Sequence, residues 1–568
     1  MTRLVIDPVT RVGGHLRLEL EVEAGIVRDA WASGTMYRGV ERILEGRDPR
    51  EAWLLAQRIC GTCGTAHALA SVRAVEQALG IRVPRNARLL RNLVAGTQLV
   101  ADHVAAFFQR QLLDWVDARA ALEANAEAAA DVARSLDPAQ APTPEALEAV
   151  RRRLGSVIGS SQPGPFAGGP WGHPAYRLSP ETSLVLLAHA FEALAWRRRM
   201  TGIHTLIGGK SPHPQSFIVG GMASAAPWGG PDNAAPGQHL WGTGRKVPSA
   251  LDAGRLEAIR ALADEAVAFA EEVFLPDAIA IASAYPHWQD LGRGRGHFLA
   301  FGELPEDDSD RPTLLLPRGR VMDRDVSRVV EVHESGVAES ADHAWYEPDG
   351  EALRRPADGR TRPRYDGPRL PFETLAEFER YSWVKAARYE DDPVEVGPLA
   401  RATVATAVAT GDLPIRFARA MALTGAGPDA AFATLGRLVA PAVEAIVVAR
   451  RMRVWLDELE SNLAAGDLAL ADMSRWAPES WPAVAEGASI GESGRGAVGH
   501  WVAIRDRRVE RYQVVDAGTW NASPRDNRGR RGALEEALVG TPVANLDQPI
   551  EILRVVHAID PCLSCGVH

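Results

Sequence analysis

The sequence predicts a mainly α fold of the α+β kind, in which long helices dominate and short strands play a minor part. Three observations carry this. An apolar stripe through Leu89, Leu93, Val100, Val104, Phe107 and Leu112 marks one helix over residues 86–115. A capping serine followed by proline, Ser179-Pro180-Glu181, opens a second that runs to Gly208-Gly209. Residues 432–463 hold a helical apolar pattern long enough for a third.

The remaining elements follow in chain order. Leu16, Leu18, Leu20 and Val22 alternate with Arg17, Glu19, Glu21 and Glu23, and Ala24-Gly25 then turns into Ile26-Val27. Period two followed by a glycine turn predicts a hairpin with one face in water. Asp48-Pro49 sets a capping side chain before a proline at the first helical position, so a helix is expected from there to the Cys60 loop. His67, Leu69, Val72, Val75 and Leu79 mark the next helix, stopped by Gly80. Cys60 and Cys63 then lie at a loop-to-helix junction, where converging N–H groups favour thiolate over thiol. Over residues 208–250 the composition turns to Gly, Pro, Ser and Trp, which predicts a long ordered loop shaped for a partner. Residues 256–274 and 398–410 read as helices. Short β-like runs fall at 313–316 and 329–332, and a strand at 500–504.

Composition sets limits on function. The 568 residues carry 46 % hydrophobic side chains and no Ser/Gly linker or low-complexity tract, so residues 1–568 read as one large unit. A net charge of −10 and a sequence pI near 5.9 argue against nucleic-acid binding. The two basic runs, Arg151-Arg152-Arg153 and Arg197-Arg198-Arg199, sit in helical pattern and read as solvated faces. No uninterrupted apolar stretch reaches the length of a membrane span, and Met1 to Asp7 leads into a strand without a signal-peptide core. Export to a periplasmic or membrane-associated position would depend on a partner.

The chemistry concentrates in the cysteines. There are four, and each belongs to a Cys-x-x-Cys pair: Cys60 with Cys63, followed by His67, and Cys562 with Cys565, followed by His568. Soft sulfur ligands at this spacing can close on one metal. A structural four-cysteine zinc site usually draws both pairs from one small module, whereas these lie at opposite ends of the chain. Disulfides within the pairs would close minimal loops and staple almost nothing. A metal gripped between the two ends of a large fold is the better account.

These motifs, Arg58-x-Cys60-Gly61-x-Cys63-x-x-x-His67 and Asp560-Pro561-Cys562-x-x-Cys565-x-x-His568, resemble the two metal-binding signatures of the large subunit of nickel-iron hydrogenases. The similarity runs nearly end to end. It takes in Asp7-Pro8-Val9-Thr10-Arg11, Arg38-Gly39 with Glu41, Gly46 to Arg50, Gly208 to Pro214, Glu395-Val396-Gly397-Pro398-Leu399, Arg495-Gly496 with Gly499-His500-Trp501, and Trp520-Asn521. The resemblance implies a fold with a central bundle of long helices flanked by small β elements. It implies nickel on Cys60, Cys63, Cys562 and Cys565, with Cys63 and Cys565 bridging to an iron that carries one carbon monoxide and two cyanides. It implies reversible heterolysis of dihydrogen, with Arg495 above the metals, oriented by Asp102 and Asp560. It also implies magnesium on Glu41, His568 and the backbone carbonyl of Val514, and a C-terminus trimmed by a maturation endopeptidase. All four cysteines being used, the electrons must leave through an iron-sulfur small subunit, in a heterodimer or a dimer of heterodimers.

The chain departs from the family's pattern at several points. Gly13 stands where a glutamate serves as first proton relay, Gly494 where proline precedes the arginine, and Ala517-Gly518 where proline and a hydroxyl residue stand. Ala101, Ala106 and Gln109 replace expected histidines near Asp102. Water beside Gly13, or the group of Arg495, Asp102 and Asp560, is expected to carry the proton instead. A dihydrogen sensor built on the same ligands, and a zinc-stabilised structural protein, are the competing readings.

Overall fold

The computed structural model describes residues 1–138, 141–224, 251–347, 353–370 and 373–567. About 47 % of the chain is helix and 16 % strand, so the expected mainly α class holds. The helix Arg85–Ala105 is predominantly buried and widens into a π turn, Ala106–Gln111, before a last tight turn at Leu112–Asp114. Helix Pro180–Gly208 starts as its sequence predicts, with Ser179 Oγ accepting from Thr182 N at 3.1 Å, and ends at Gly209 in a left-handed conformation, φ 72°. That conformation costs glycine nothing. Helix Thr434–Ala464 packs against Arg85–Ala105, Ala253–Phe269, Leu275–Ala284, Pro398–Val408 and Asp412–Leu423. The last of these was not anticipated, because Pro414 sits inside its first turn.

Other predicted elements shift. The single helix expected before Cys60 is three short pieces, Pro49–Glu51, Ala52–Ala56 and Gln57–Ile59, with Asp48 Oδ1 accepting from Arg50 N at 2.9 Å. The predicted helix after Cys63 is Gly64–Leu79, and Gly80 ends it at φ 68°. The strand foreseen at 329–332 reduces to one bridge, Val330 to Arg320, while Leu314–Leu316 pairs with Glu303–Pro305. The partner-facing loop is described only to residue 224, where Phe217–Ile218 and Gly221–Met222 make a small hairpin; residues 225–250 lie outside the described part. Among the described residues no helix is long and apolar enough to cross a membrane.

The N-terminal hairpin, Leu16–Glu23 with Ile26–Gly34, forms as expected, with Thr2–Ile6 added at its edge. Its polar face is only partly wet, with Glu21 half-buried and Glu23 exposed. Arg17 and Glu19 are buried and paired with each other; Arg17 Nη2 donates to Glu373 O at 2.8 Å, and Glu19 Oε2 accepts from Leu375 N at 2.9 Å. A distant segment covers the face and uses its charges, which alternation alone cannot reveal. Arg197 likewise departs from the solvated reading: half-buried, it donates to Gln109 Oε1 at 3.2 Å, while Arg152, Arg153, Arg198 and Arg199 are exposed.

The three-stranded sheet Val484–Ser493, Gly496–Arg505 and Arg508–Val515 lies on helix Gly64–Leu79 and carries Arg495 in its first turn. Behind that turn a buried ionic network ties the elements together. Arg401 reaches Glu444 through two 2.8 Å bonds and Glu492 through one of 2.7 Å, and His103 Nε2 lies 2.8 Å from Glu444 Oε1.

Glu535 gives this core a pH dependence. Its Oε1 accepts from Ala32 N and Tyr381 Oη, each at 2.9 Å, while Arg525 comes only to 4.0 Å of Oε2. Burial outweighs these contacts and pushes its carboxyl up to about 7. A raised carboxyl favours folding fully below its unfolded value and loses that contribution as pH rises through about 7. Glu535→Gln keeps an acceptor without the charge. It is expected to leave stability at pH 5 nearly unchanged and to raise it by about 3 kcal/mol at pH 8 in urea unfolding. Equal effects at both pH values would place the cost elsewhere.

Candidate metal centre

The four thiols are buried and converge from opposite ends of the chain. Cys60 ends a tight turn and Cys63 caps helix Gly64–Leu79. Cys562 and Cys565 follow helix Ile550–Ile559, whose last residue passes into Asp560 with φ 50°. The Sγ atoms all lie within 4.8 Å of one another: Cys60 to Cys562 at 3.7 Å, Cys63 to Cys565 at 3.3 Å, Cys562 to Cys565 at 2.8 Å. The backbone N–H groups of Thr62 and Cys63 donate to Cys60 Sγ at 3.4 and 3.2 Å. Sharing with the Cys562 thiol holds Cys60 well below the usual thiol range, and burial pushes Cys565 well above it. Such a group of soft donors, buried and pre-gathered, suits one metal centre.

Arg495 is buried beside the sulfurs. Its Nε donates to Asp560 Oδ2 at 3.1 Å and its Nη1 to Thr62 Oγ1 at 2.7 Å, and that hydroxyl lies 3.2 Å from Cys60 Sγ. Burial works against the guanidinium charge, but Asp560, Cys562 and Cys60 outweigh it and hold Arg495 well above its ordinary pKa. Of the two aspartates expected to orient Arg495, Asp560 is hydrogen-bonded to it, whereas Asp102 acts on it through charge alone. Asp102 is buried nearby, but its Oδ1 accepts from Gln98 Nε2 at 2.8 Å and its Oδ2 has no hydrogen-bond partner among the described residues. Burial pushes its carboxyl up. One turn of helix places Gln98 at hydrogen-bonding distance from Asp102, and this local bond wins.

Gly13 bridges to Cys562 in parallel fashion, and its carbonyl accepts from Ser564 N at 3.0 Å. A Cβ there would lie 3.5 Å from Cys562 Sγ and, its chain neighbours aside, within 4 Å of no other atom among the described residues, so the position has room beside the thiol. Gly518 is the opposite case: a Cβ would fall 2.3 Å from Cys562 O and 2.7 Å from Gly566 N. The cysteine turn therefore rests directly on backbone at Gly518.

Glu41 is buried and accepts from Val514 N at 2.9 Å and from the Thr361 hydroxyl, with Lys385 Nζ 3.4 Å from its Oε1. Arg38 N, three residues before Glu41, donates to Val567 O at 3.2 Å. His568 lies outside the described residues. The groups that sequence reasoning missed are Thr62, Gln98, Arg110 and Lys385. Thr62 lies inside the first cysteine motif, so its place there was the available signal.

Four buried thiols drawn from both ends of a mainly helical chain, with a guanidinium set beside them, define a metal–thiolate subunit. The model of nickel-dependent hydrogenases matches residues 38–568. The uptake hydrogenase large subunit of Bradyrhizobium diazoefficiens is 41 % identical, the match covering 100 % of this chain and 95 % of that protein. The hydrogenase-1 large chain of Escherichia coli is 40 % identical over the same shares. Among solved structures, the reduced Ni-Fe-Se hydrogenase of Desulfovibrio vulgaris Hildenborough superposes with a TM-score of 0.77 at 31 % identity, covering 100 % of both chains. The chain belongs to the nickel-dependent hydrogenase family, as one of its large subunits.

Proposed function

We propose that the chain is the catalytic large subunit of an uptake hydrogenase that splits dihydrogen reversibly and passes the electrons to an iron-sulfur small subunit. The observation that carries this is the gathering of four buried Sγ atoms within 4.8 Å of one another beside Arg495. Cys60, Cys63, Cys562 and Cys565 would hold nickel, and Cys63 with Cys565, 3.3 Å apart, would share iron bearing carbon monoxide and two cyanides. Bound there, this pair supplies the two-electron chemistry that turns dihydrogen into protons and electrons.

The protein's own groups then do three things. Burial of the thiols excludes water from the reacting atoms. Arg495, held by Asp560 and Thr62, keeps a fixed positive charge beside them. Cys562 Sγ, facing the space at Gly13, is where a proton would leave toward ordered water. Asp102, with one free carboxylate oxygen, offers a second acceptor. Glu41 and the Val514 carbonyl would hold magnesium together with His568; a buried carboxylate that reaches the Val514 backbone supports this, since such hard oxygens suit that cation. The mutual packing of Arg85–Ala105, Pro180–Gly208, Ala253–Phe269 and Thr434–Ala464 supports reading them as the central bundle of one unit.

Metal analysis tests the reading. Nickel and iron at about one each per chain are expected, as one bimetallic thiolate site requires, and zinc alone would overturn it. A further variant tests the proton exit. Gly13→Glu adds a carboxyl where there is room beside Cys562 and is expected to raise dihydrogen uptake several-fold, with Gly13→Ala unchanged; the gain stays below the roughly 100-fold that a well-placed acid-base group supplies, because water already offers the proton a route. A solvent isotope effect and turnover untouched by Gly13→Glu would show that the proton leaves elsewhere.

A further inference from the structure

Asp560 is gripped more firmly by another cation than by Arg495. Arg110 donates from Nε to Asp560 Oδ1 and from Nη2 to Oδ2, both at 2.8 Å, whereas Arg495 reaches only Oδ2, at 3.1 Å. Arg110 lies in the π turn Ala106–Gln111, a widening of the kind often found at functional sites. Its own carbonyl accepts from Arg11 Nη1 at 2.5 Å, and Arg11 pairs with Asp114, so the turn is anchored from behind. Asp102 makes no hydrogen bond to either guanidinium.

A carboxylate presents one face on which a guanidinium can bond both oxygens at once. Arg110 occupies that face. We infer that Arg110 is a positioning residue of the metal centre: by taking the two-point grip on Asp560 it leaves Arg495 a one-point hold, which keeps Arg495 Nη1 on Thr62 Oγ1 beside Cys60. Without Arg110, the only guanidinium among the described residues still bonded to Asp560 is that of Arg495. Its own fork then turns onto both carboxylate oxygens and withdraws from Thr62. The inference deepens the hydrogenase reading and rests on it.

The test uses the assembled enzyme carrying Arg110→Leu, Thr62→Val or both. In a crystal structure of Arg110→Leu, Arg495 is expected to bond Asp560 at two points and to lose its contact with Thr62, with nickel and iron retained. Turnover with dihydrogen should fall roughly tenfold while KM stays, Thr62→Val should do the same, and the double variant should lose no more than either, because both break one coupled arrangement. Arg110→Lys, a point charge without the fork, should restore part of the turnover and carries the test where Arg110→Leu does not fold. An unmoved Arg495 in the variant crystal, or losses that simply add, would overturn the inference. Wild-type enzyme without nickel would instead overturn the hydrogenase reading beneath it.

Discussion

Cys565→Ser is expected to empty the centre of both metals and to bring dihydrogen uptake, measured with an artificial dye, to background. Cys565 Sγ stands 3.3 Å from Cys63 Sγ and 2.8 Å from Cys562 Sγ, so it is the point where the N-terminal and C-terminal pairs meet. A hydroxyl is smaller, harder and far less acidic than a thiol, and cannot bridge two soft metals. The fold around it should survive. Cys565 lies against a buried polar chain that runs from His67 Nδ1 through His500 to Tyr512 and Ser71, at 3.0, 2.8 and 2.7 Å, and whose bonds to one another the substitution leaves in place. The variant should therefore be soluble, helical and metal-free. Uptake near the wild-type rate, or a full complement of nickel and iron, would refute the assignment of Cys565.

Arg495→Lys is expected to keep the metals and lose about 100-fold or more in turnover, the usual cost of removing one pre-aimed charged donor from a buried site. The reason differs from the one the sequence suggested. Arg495 is not a fork between two aspartates; it bonds Asp560 through Nε and Thr62 through Nη1, two directions that diverge across the guanidinium plane. A lysine ammonium can reach one of these partners but has no rigid plane with which to hold both. Metal content separates this outcome from misfolding, because the cysteines do not depend on Arg495 for their positions. Turnover within a factor of about two of wild type, well under one tenfold step in barrier terms, would make the guanidinium structural only.

The sequence by itself determined the parts whose physics is local or whose chemistry is rare. Ser179 and Gly209 bound one long helix, Gly80 ends another, and Cys63 sits at a helix start, because caps and left-handed stops act through their nearest neighbours. Four cysteines in two spaced pairs, set among motifs in a family's order, point to one metal centre from the sequence alone, and the fold brings the four together. What only the tertiary structure decided is which charge meets which. Asp560 pairs with Arg110 across 450 residues of sequence, Asp102 turns to Gln98 on its own helix, and Lys385 comes to Glu41 from 344 residues away. Arg17 and Glu19 of the hairpin are buried by a segment more than 350 residues away. A buried ion must find a partner or lose several kcal/mol of desolvation. The candidates are many and identical in type, so the choice among them belongs to the packing of the helices and not to the pattern along the chain.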